Sequence, residues 1–198
     1  MPSAQDSIKA MITSLHQRHL KALGFRKTAN TWTRSADWPQ VINVQLSQWS
    51  SAEEAKITIN LGISIEALHK AAEGLPLKDK LKEYDCDIRS RIGQLHADKL
   101  DKWWTVSTTT NSDDLADDLF SNIATYGLPW FNRLTTYSGI AEEFLVRKQP
   151  FMAALAYLLA DNRTEAEKWM AEALTGANKL ALPKLRRLAQ THLLTIPG

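Results

Sequence analysis

The chain has 198 residues, of which 44% are hydrophobic and 23% are charged, the balance of an ordinary soluble globular protein. A chain of this length buries about 70% of its unfolded-state surface, so folding requires neither a disulfide nor a metal. Its one cysteine, Cys86, excludes an intramolecular disulfide, whereas the net charge of +2 excludes no class of partner.

The first predicted element is an amphipathic helix over residues 3–22, in which Ile8, Met11 and Leu15 recur at helical spacing. Ser3 with Asp6 is typical of a helix N-terminus, and a glycine two residues past the helix favours its end. The first residues show no basic region followed by an apolar run, as a secretory signal would. The longest nearly apolar run has ten residues and is too short to span a bilayer. We therefore expect the protein in the cytoplasm.

The strongest pattern lies at Val41–Ile63, which predicts a β-hairpin. Apolar residues alternate with polar ones in both halves, so each predicted strand has one apolar and one polar face. The polar segment Ser50–Ala55 has the length of a longer hairpin loop, which favours antiparallel pairing. A short β-prone segment, Thr31–Thr33, predicts a first or edge strand before the hairpin.

The rest of the chain changes from mixed to helical patterning. Residues 65–72 predict a short helix, residues 86–95 fit either a strand or a helix, and residues 101–107 predict a strand. From Ser112 onward six helical segments are predicted, with Gly127 and Pro129 ending the first and Thr164 with Glu167 capping the fifth.

The predicted fold class is α+β, with an N-terminal helix, an antiparallel sheet of about four or five strands and an all-helical C-terminal half. We expect residues 1–130 to form the α+β domain and residues 131–198 to form a helical extension packed on it.

Five segments in this order resemble a bacterial family, the domain-of-unknown-function family numbered 4304. They are LGFRK from Leu23, VINVQLSQW from Val41, ITINLGI from Ile57, DCDIRSRIGQL from Asp85 and DKWW from Asp101. The similarity spans about residues 15–130. The chain departs from the family's usual aromatic residue at Val44 and from its usual lysine at Leu46. Since the family's function is unassigned, the resemblance implies a bacterial setting and little chemistry.

Polar and aromatic side chains on the predicted sheet form the candidate binding site. Amides on strands donate and accept hydrogen bonds at once, which suits a polar ligand or another backbone, although they also suit an ordinary solvent-facing sheet. Arginines with tryptophans would bind an anion or an aromatic group if they converged on that face. The candidate residues are Asn43, Gln45, Trp49, Asn60, Arg89, Arg91, Trp103 and Trp104.

Two alternatives stay open for parts of this site. Arg89 and Arg91 could instead form a structural ion-pair ladder with Asp85 and Asp87. The turn tryptophans Trp38 and Trp49 could be exposed, as interface anchors often are, whereas other tryptophans belong in the core.

Catalytic and metal sites have little support in the sequence. His16 with His19, and Glu66 with His69, are isolated pairs, whereas a zinc site needs three or four ligands. A lone cysteine next to acidic residues is typical of a small buried side chain rather than a nucleophile. We expect no catalytic residues, no metal and no cofactor.

The sequence therefore supports two hypotheses of function. The first is a non-enzymatic protein-binding module, most concretely an immunity-type or adaptor protein that caps a partner such as a toxin. From Glu83 to Asp118 there are nine acidic and four basic residues, a stretch that could face a basic partner. The second is an enzyme or small-ligand-binding protein with a polar pocket on the sheet. We expect neither nucleic acid nor a membrane as a partner.

Overall fold

The chain begins with helix α1 (Ala4–Leu15) in the computed structural model, which describes residues 3–195. Ser3 and Asp6 form a capping box, because Oγ of Ser3 accepts the backbone N–H of Asp6 at 3.2 Å and Oδ2 of Asp6 accepts the backbone N–H of Ser3 at 3.0 Å. A π-helical turn, His16–Leu20, continues the helix. Gly24 then takes a φ of 81° and reverses the chain. The predicted N-terminal helix is confirmed.

Six strands form one antiparallel sheet. They are β1 (Arg26–Thr28), β2 (Thr31–Arg34), β3 (Gln40–Leu46), β4 (Glu54–Ile63), β5 (Ile88–Arg91) and β6 (Trp104–Ser107). The strand order is β1-β2-β3-β4-β5, and β6 also pairs with β4. Strands β5 and β6 therefore lie one after the other along the same edge of β4. The predicted hairpin is confirmed as β3 and β4, and the ambiguous residues 86–95 include a strand.

Eight α-helices are described in residues 3–195. After α1 they are α2 (Glu66–Glu73), α3 (Ser112–Asn122), α4 (Leu128–Arg133), α5 (Tyr137–Val146), α6 (Pro150–Leu159), α7 (Arg163–Gly176) and α8 (Leu182–Thr191). With the N-terminal helix and the sheet, they confirm the α+β class and the helical C-terminal half.

Two predicted helix boundaries are wrong. Helix α3 runs through a π-helical turn, Ile123–Gly127, directly into α4, so Gly127 and Pro129 do not end it. In a π-turn the backbone hydrogen bonds join residues five apart, so one carbonyl lacks its usual i+4 donor. Proline has no backbone N–H and is therefore tolerated at this point of the helix. Helix α7 is capped by Asn162, whose Oδ1 accepts the backbone N–H of Glu165 at 3.2 Å, rather than by Thr164.

The two faces of the sheet differ as the alternation predicts. On one face Ile42 lies opposite Leu61 and Val44 opposite Ile59, and each of these four side chains is at most 2% exposed. Helices α1 and α3 pack against each other, and α1 also packs on β4 and β6. The other face carries the polar residues that alternate with these along β3 and β4, and the candidate site lies there.

The chain divides into two compact units. The first comprises residues 1–65 and 78–132, with the whole sheet. The second comprises residues 66–77 and 133–198, with α2 and α5–α8. In the second unit the buried carboxylate of Glu143 accepts hydrogen bonds from Arg133 at 3.0 Å and from Arg147 at 2.6 Å. None of the helices described in residues 3–195 has the length and apolar character that crossing a membrane requires.

Candidate binding site on the polar face of the sheet

One row of polar side chains crosses four strands. The register places Thr31, Asn43, Asn60 and Arg91 next to one another from β2 to β5. Neighbouring positions in an antiparallel sheet share a face, so the alternation of each strand dictates this row. The Asn43 Nδ2 donates to Oγ1 of Thr31 at 2.8 Å. Asn60, which is 5% exposed, donates to Oε1 of Gln45 at 2.8 Å.

A groove of about 200 Å³ opens on this face. Seven residues from five segments of the chain line the groove. They are Gln45, Asn60, Glu83, Arg89, Ser90, Arg91 and Gln94. Four of these residues, Gln45, Asn60, Arg89 and Arg91, belong to the predicted site. The predicted polar residues therefore converge on a concave surface.

Glu83 supplies a buried negative charge at the groove. It lies in a 3₁₀ turn, Glu83–Asp85, and is 8% exposed. Its Oε1 accepts Nε of Arg89 at 2.5 Å. A charged group buried to this extent requires such a partner, since a buried unpaired carboxylate is strongly unfavourable.

Gly62 explains how the turn comes so close to the sheet. A Cβ at Gly62 would lie 2.5 Å from Sγ of Cys86, far inside normal contact distance. Only a glycine in β4 leaves room for Cys86, and with it for Glu83. Burial raises the pKa of the Cys86 thiol to about 12, and the nearby carboxylates of Glu83, Asp87 and Asp85 act in the same direction. The thiol is therefore protonated at neutral pH and unsuited to nucleophilic attack.

Arg91 has both an ionic and an aromatic neighbour. Its Nη1 donates to Oδ2 of Asp101 at 2.6 Å, and its guanidinium carbon lies 5.5 Å from the centroid of the Trp103 ring. Both neighbours lie on the connection from β5 to β6. Gly93 permits this arrangement, because a Cβ there would lie only 2.1 Å from the carbonyl oxygen of Leu100.

Trp49 lies apart from the groove, on the loop that joins β3 to β4, and is 87% exposed. The loop is held by several hydrogen bonds. Oγ of Ser47 accepts the backbone N–H of Trp49 at 3.2 Å, and Oγ of Ser50 donates to the carbonyl of Ser47 at 2.8 Å. The carbonyl of Ala52 accepts the backbone N–H of Ala4 at 2.9 Å, which ties the loop to the start of α1. A large apolar side chain is thus presented to solvent from a braced backbone.

Each of the two arginines has a carboxylate partner outside the pair Asp85 and Asp87. Arg89 and Arg91 each have a carboxylate partner, as an ion-pair reading requires, but these partners include Glu83 and Asp101. Asp85 instead pairs with Lys78 at 2.5 Å, and Asp87 accepts the backbone N–H of Ile65 at 2.7 Å. Sequence separation gave no signal for Glu83 or Asp101, which reach the arginines only through the fold.

Trp103 lies beside Arg91, whereas Trp104 lies on the opposite, apolar face of the sheet. Trp104 pairs with Ile57 on the apolar face, is 6% exposed and donates its indole N–H to Oδ2 of Asp118 at 2.6 Å. Trp104 is the first residue of β6, whereas Trp103 precedes the strand and lies on the connection from β5.

The family model described as Domain of unknown function (DUF4304) matches residues 16–133, more than half of the chain. The chain belongs to this family. The matched part of the chain contains all six strands, the groove and the Trp49 loop. Neither a curated protein nor a solved structure matches the chain.

A broader depression of about 550 Å³ lies on the N-terminal helix, mostly before the matched residues. Its lining is Lys9, Ala10, Thr13, Ser14, Gln17, Arg18 and Asp113, and all but the last lie on α1 and the π-turn that continues it. Ser14 donates to Asp113 at 2.5 Å and Arg18 pairs with the same carboxylate at 3.6 Å. The smaller groove is the better candidate site, because its polar groups converge from five segments rather than one helical surface.

The acidic residues of α3 in the DUF4304 domain are largely engaged within the protein. Asp117 pairs with Arg18 at 2.7 Å and with His19 at 2.6 Å. Asp118 accepts from Trp104, whereas Asp114 is exposed. These contacts join α3 to α1 and β6, so the acidic stretch is in large part structural.

The isolated histidine pairs of the sequence do not form a ligand set. In residues 3–195 no group of three or more His, Cys, Asp or Glu side chains is arranged to hold a metal ion. His19 stacks on Phe120 with ring centroids 4.2 Å apart, which leaves it part of the packing between α1 and α3.

Proposed function

We propose that this DUF4304 protein is a non-enzymatic protein-binding module, most concretely a bacterial immunity-type or adaptor protein that caps a protein partner such as a toxin. The observation that carries the proposal is Trp49, a tryptophan 87% exposed at the tip of a hydrogen-bonded hairpin loop. Tryptophan is enriched among the residues that dominate binding energy at protein interfaces.

The loop is suited to this role because its backbone is already ordered. Hydrogen bonds from Ser47 and Ser50, and the bond from Ala4 to Ala52, fix the loop before any partner arrives. Binding to a pre-ordered loop loses less conformational entropy than binding to a flexible one. Most of the free energy from burial of the indole ring against a partner would therefore contribute to binding.

The groove and Trp49 are linked through β3. Asn43 and Gln45 lie on the polar face of β3, which ends at Leu46, and the loop that follows carries Trp49. Trp49 lies four positions after Gln45, at most about 14 Å of extended chain. A single partner can thus contact the exposed tryptophan and the polar groove together.

Capture of a partner with and without the tryptophan tests the proposal. The tagged protein is used to isolate a stoichiometric partner from the native lysate, and its affinity for the purified partner is then measured by calorimetry. We expect Trp49→Ala to weaken binding by about 2–4 kcal/mol, the range of an interface hot spot. Thermal stability should not change, because the side chain is exposed.

Leu180→Ala is the matched control, since Leu180 is 92% exposed and belongs to the other compact unit. We expect this variant to bind like the wild type. Equal affinities of Trp49→Ala and the wild type would contradict the proposal.

A second candidate function is binding of a small polar ligand in the groove, favoured by the convergence of Gln45, Asn60, Arg89 and Arg91 there. Native mass spectrometry of the purified protein separates the two functions. A small molecule retained by the wild type and lost on Arg91→Gln would support the second candidate over the first.

A further inference from the structure

The groove has more hydrogen-bond donors than the protein itself uses. Within residues 3–195, the amide NH₂ groups of Gln45 and Gln94 donate to no protein acceptor, although their oxygens accept from Asn60 and from the backbone N–H of Arg91. Within residues 3–195, the Arg91 guanidinium donates one hydrogen bond, to Asp101. A guanidinium carries five N–H donors. The groove therefore suits an acceptor-rich ligand.

The charge of the lining favours a negative ligand. Two arginines face one glutamate in the lining, and Glu83 is already neutralised by its bond with Arg89. Asp101, the partner of Arg91, lies outside the lining and its side chain is 46% exposed. An exposed pair of this kind contributes little to stability, so a ligand can compete for Arg91.

We propose that the groove is a receptor for a carboxylate, namely a glutamate or aspartate side chain presented by the protein partner. This inference rests on the proposed function. The carboxylate accepts from the Arg91 guanidinium and from the amides of Gln45 and Gln94, a charge-assisted arrangement. The Trp103 ring, 5.5 Å from the guanidinium carbon, restrains the plane of the guanidinium. With a volume of about 200 Å³, the groove accommodates one side chain rather than a larger ligand.

NMR titration with capped amino acids tests the receptor directly. The probe is N-acetyl-glutamate N-methylamide, and its neutral isostere, N-acetyl-glutamine N-methylamide, is the matched control. We expect saturable shifts of the Gln45 and Gln94 side-chain NH₂ signals with the glutamate probe, at a Kd of roughly 1–10 mM for one charge-assisted contact. The glutamine probe should leave these signals unchanged.

Three variants sharpen the test. Arg91→Gln should abolish the shifts, and Arg91→Lys, which keeps the charge but loses the planar fork, should weaken binding several-fold. Asp101→Asn should tighten binding by about two- to five-fold, because it removes the competing carboxylate. A thermal melt of each variant verifies folding, and Arg91→Lys carries the test if Arg91→Gln does not fold.

Equal shifts with both probes, no saturable shift with the glutamate probe, or shifts unaffected by Arg91→Gln would each overturn the inference. None of these outcomes touches the proposed function, which Trp49→Ala tests by partner affinity. Conversely, a carboxylate site that responds to Arg91 while Trp49→Ala binds the partner normally would retain the receptor and remove the role of Trp49.

Discussion

Cys86 and Gly62 form a matched pair of residues at the centre of the polar face. The thiol occupies the space where a Cβ of residue 62 would stand, at 2.5 Å from Sγ, and Cys86 is 7% exposed as a result. Desolvation disfavours the thiolate, so burial raises the pKa of Cys86 to about 12. The lone cysteine is thus a packing residue that holds the Glu83 turn against the sheet.

The raised pKa predicts a slow thiol. At pH 8 the native protein should react with a disulfide reagent roughly a thousand-fold more slowly than the same chain unfolded in urea, because the thiolate fraction falls by about that factor. The rate is followed by release of the coloured thiol product. A native rate within a few-fold of the unfolded rate would show that Cys86 is accessible and ionised.

The side chains of the site were predictable where they follow from the strand period, and not where they depend on the fold. Asn43, Gln45 and Asn60 share a face because alternate residues of paired strands must do so. Glu83 and Asp101 meet the arginines only because the chain passes over Gly62 and folds back at Gly93, and no local pattern reports such approaches.

Among the elements, the β3–β4 hairpin was the most predictable, since its apolar residues keep period two over both strands. Strand β1 was not predicted, because its three residues, Arg26–Thr28, are all exposed and have no apolar face to reveal them. The path of the connection from β5 to β6, residues 92–103, could not be predicted from the sequence either. Its path depends on backbone contact at one glycine rather than on a pattern of side chains.

Gly93→Ala should disrupt this connection. The new Cβ would lie 2.1 Å from the carbonyl oxygen of Leu100 and 2.5 Å from the backbone nitrogen of Lys102, so the connection must move. We expect a loss of about 1–3 kcal/mol or more in the free energy of unfolding, measured by urea denaturation. The Arg91–Trp103 contact should loosen with it, seen as a shift of the Trp103 indole NMR signal.

Gly176→Ala is the control for that substitution. Gly176 ends α7, and a Cβ there meets no atom within 4 Å. Because alanine favours a helix over glycine, this variant should be as stable as the wild type or more stable by up to about 1 kcal/mol. If both variants had the same free energy of unfolding, the close backbone approach at Gly93 would not require a glycine there.

At the scale of the whole molecule, the change from period two to helical period near Ser112 predicted the α+β class. Which helices belong to each of the two compact units was harder to predict from the sequence. Helix α2 packs on α6 and belongs with α5–α8 although it follows β4 in the chain; its buried residues are Leu68 and Ala72. A short helix with only two buried residues has too weak an apolar pattern to predict the unit in which it packs. The expected packing of residues 131–198 on residues 1–130 stays a prediction.

Hydrogen bonds, several of them from charged groups, lower the pKa of carboxylates in the described part of the chain. The pKa is lowered at five of them: Asp6, Asp85, Asp117, Glu165 and Glu167. At Asp117 the hydrogen bond from His19 has the largest effect on the pKa, and the bond from Arg18 also lowers it, whereas desolvation raises it. A carboxyl group whose pKa is lower in the folded state than in the unfolded state stabilises the fold above its unfolded pKa.

The protein should therefore lose stability on acidification. The loss sets in near the unfolded pKa values, 4.5 for glutamate and 3.8 for aspartate, and continues as the pH falls through the lower folded values. His16 adds to it from pH 6.5 downward, because burial, Lys27 and Lys21 lower the pKa of its imidazole, so that protonation favours the unfolded chain. We expect the melting temperature, measured by calorimetry from pH 7 to pH 3, to fall in these two stages.

Asp117→Asn isolates the contribution of one carboxylate. At pH 7 this variant should melt below the wild type, because the ionic bonds of Asp117 to Arg18 and His19 are lost. As the pH falls from the unfolded pKa of 3.8 through the lower folded pKa of Asp117, the wild type loses this contribution, and the two melting temperatures should converge. A gap that stays constant from pH 7 to pH 3 would mean that Asp117 stabilises the packing of α1 on α3 by hydrogen bonding alone, without its charge.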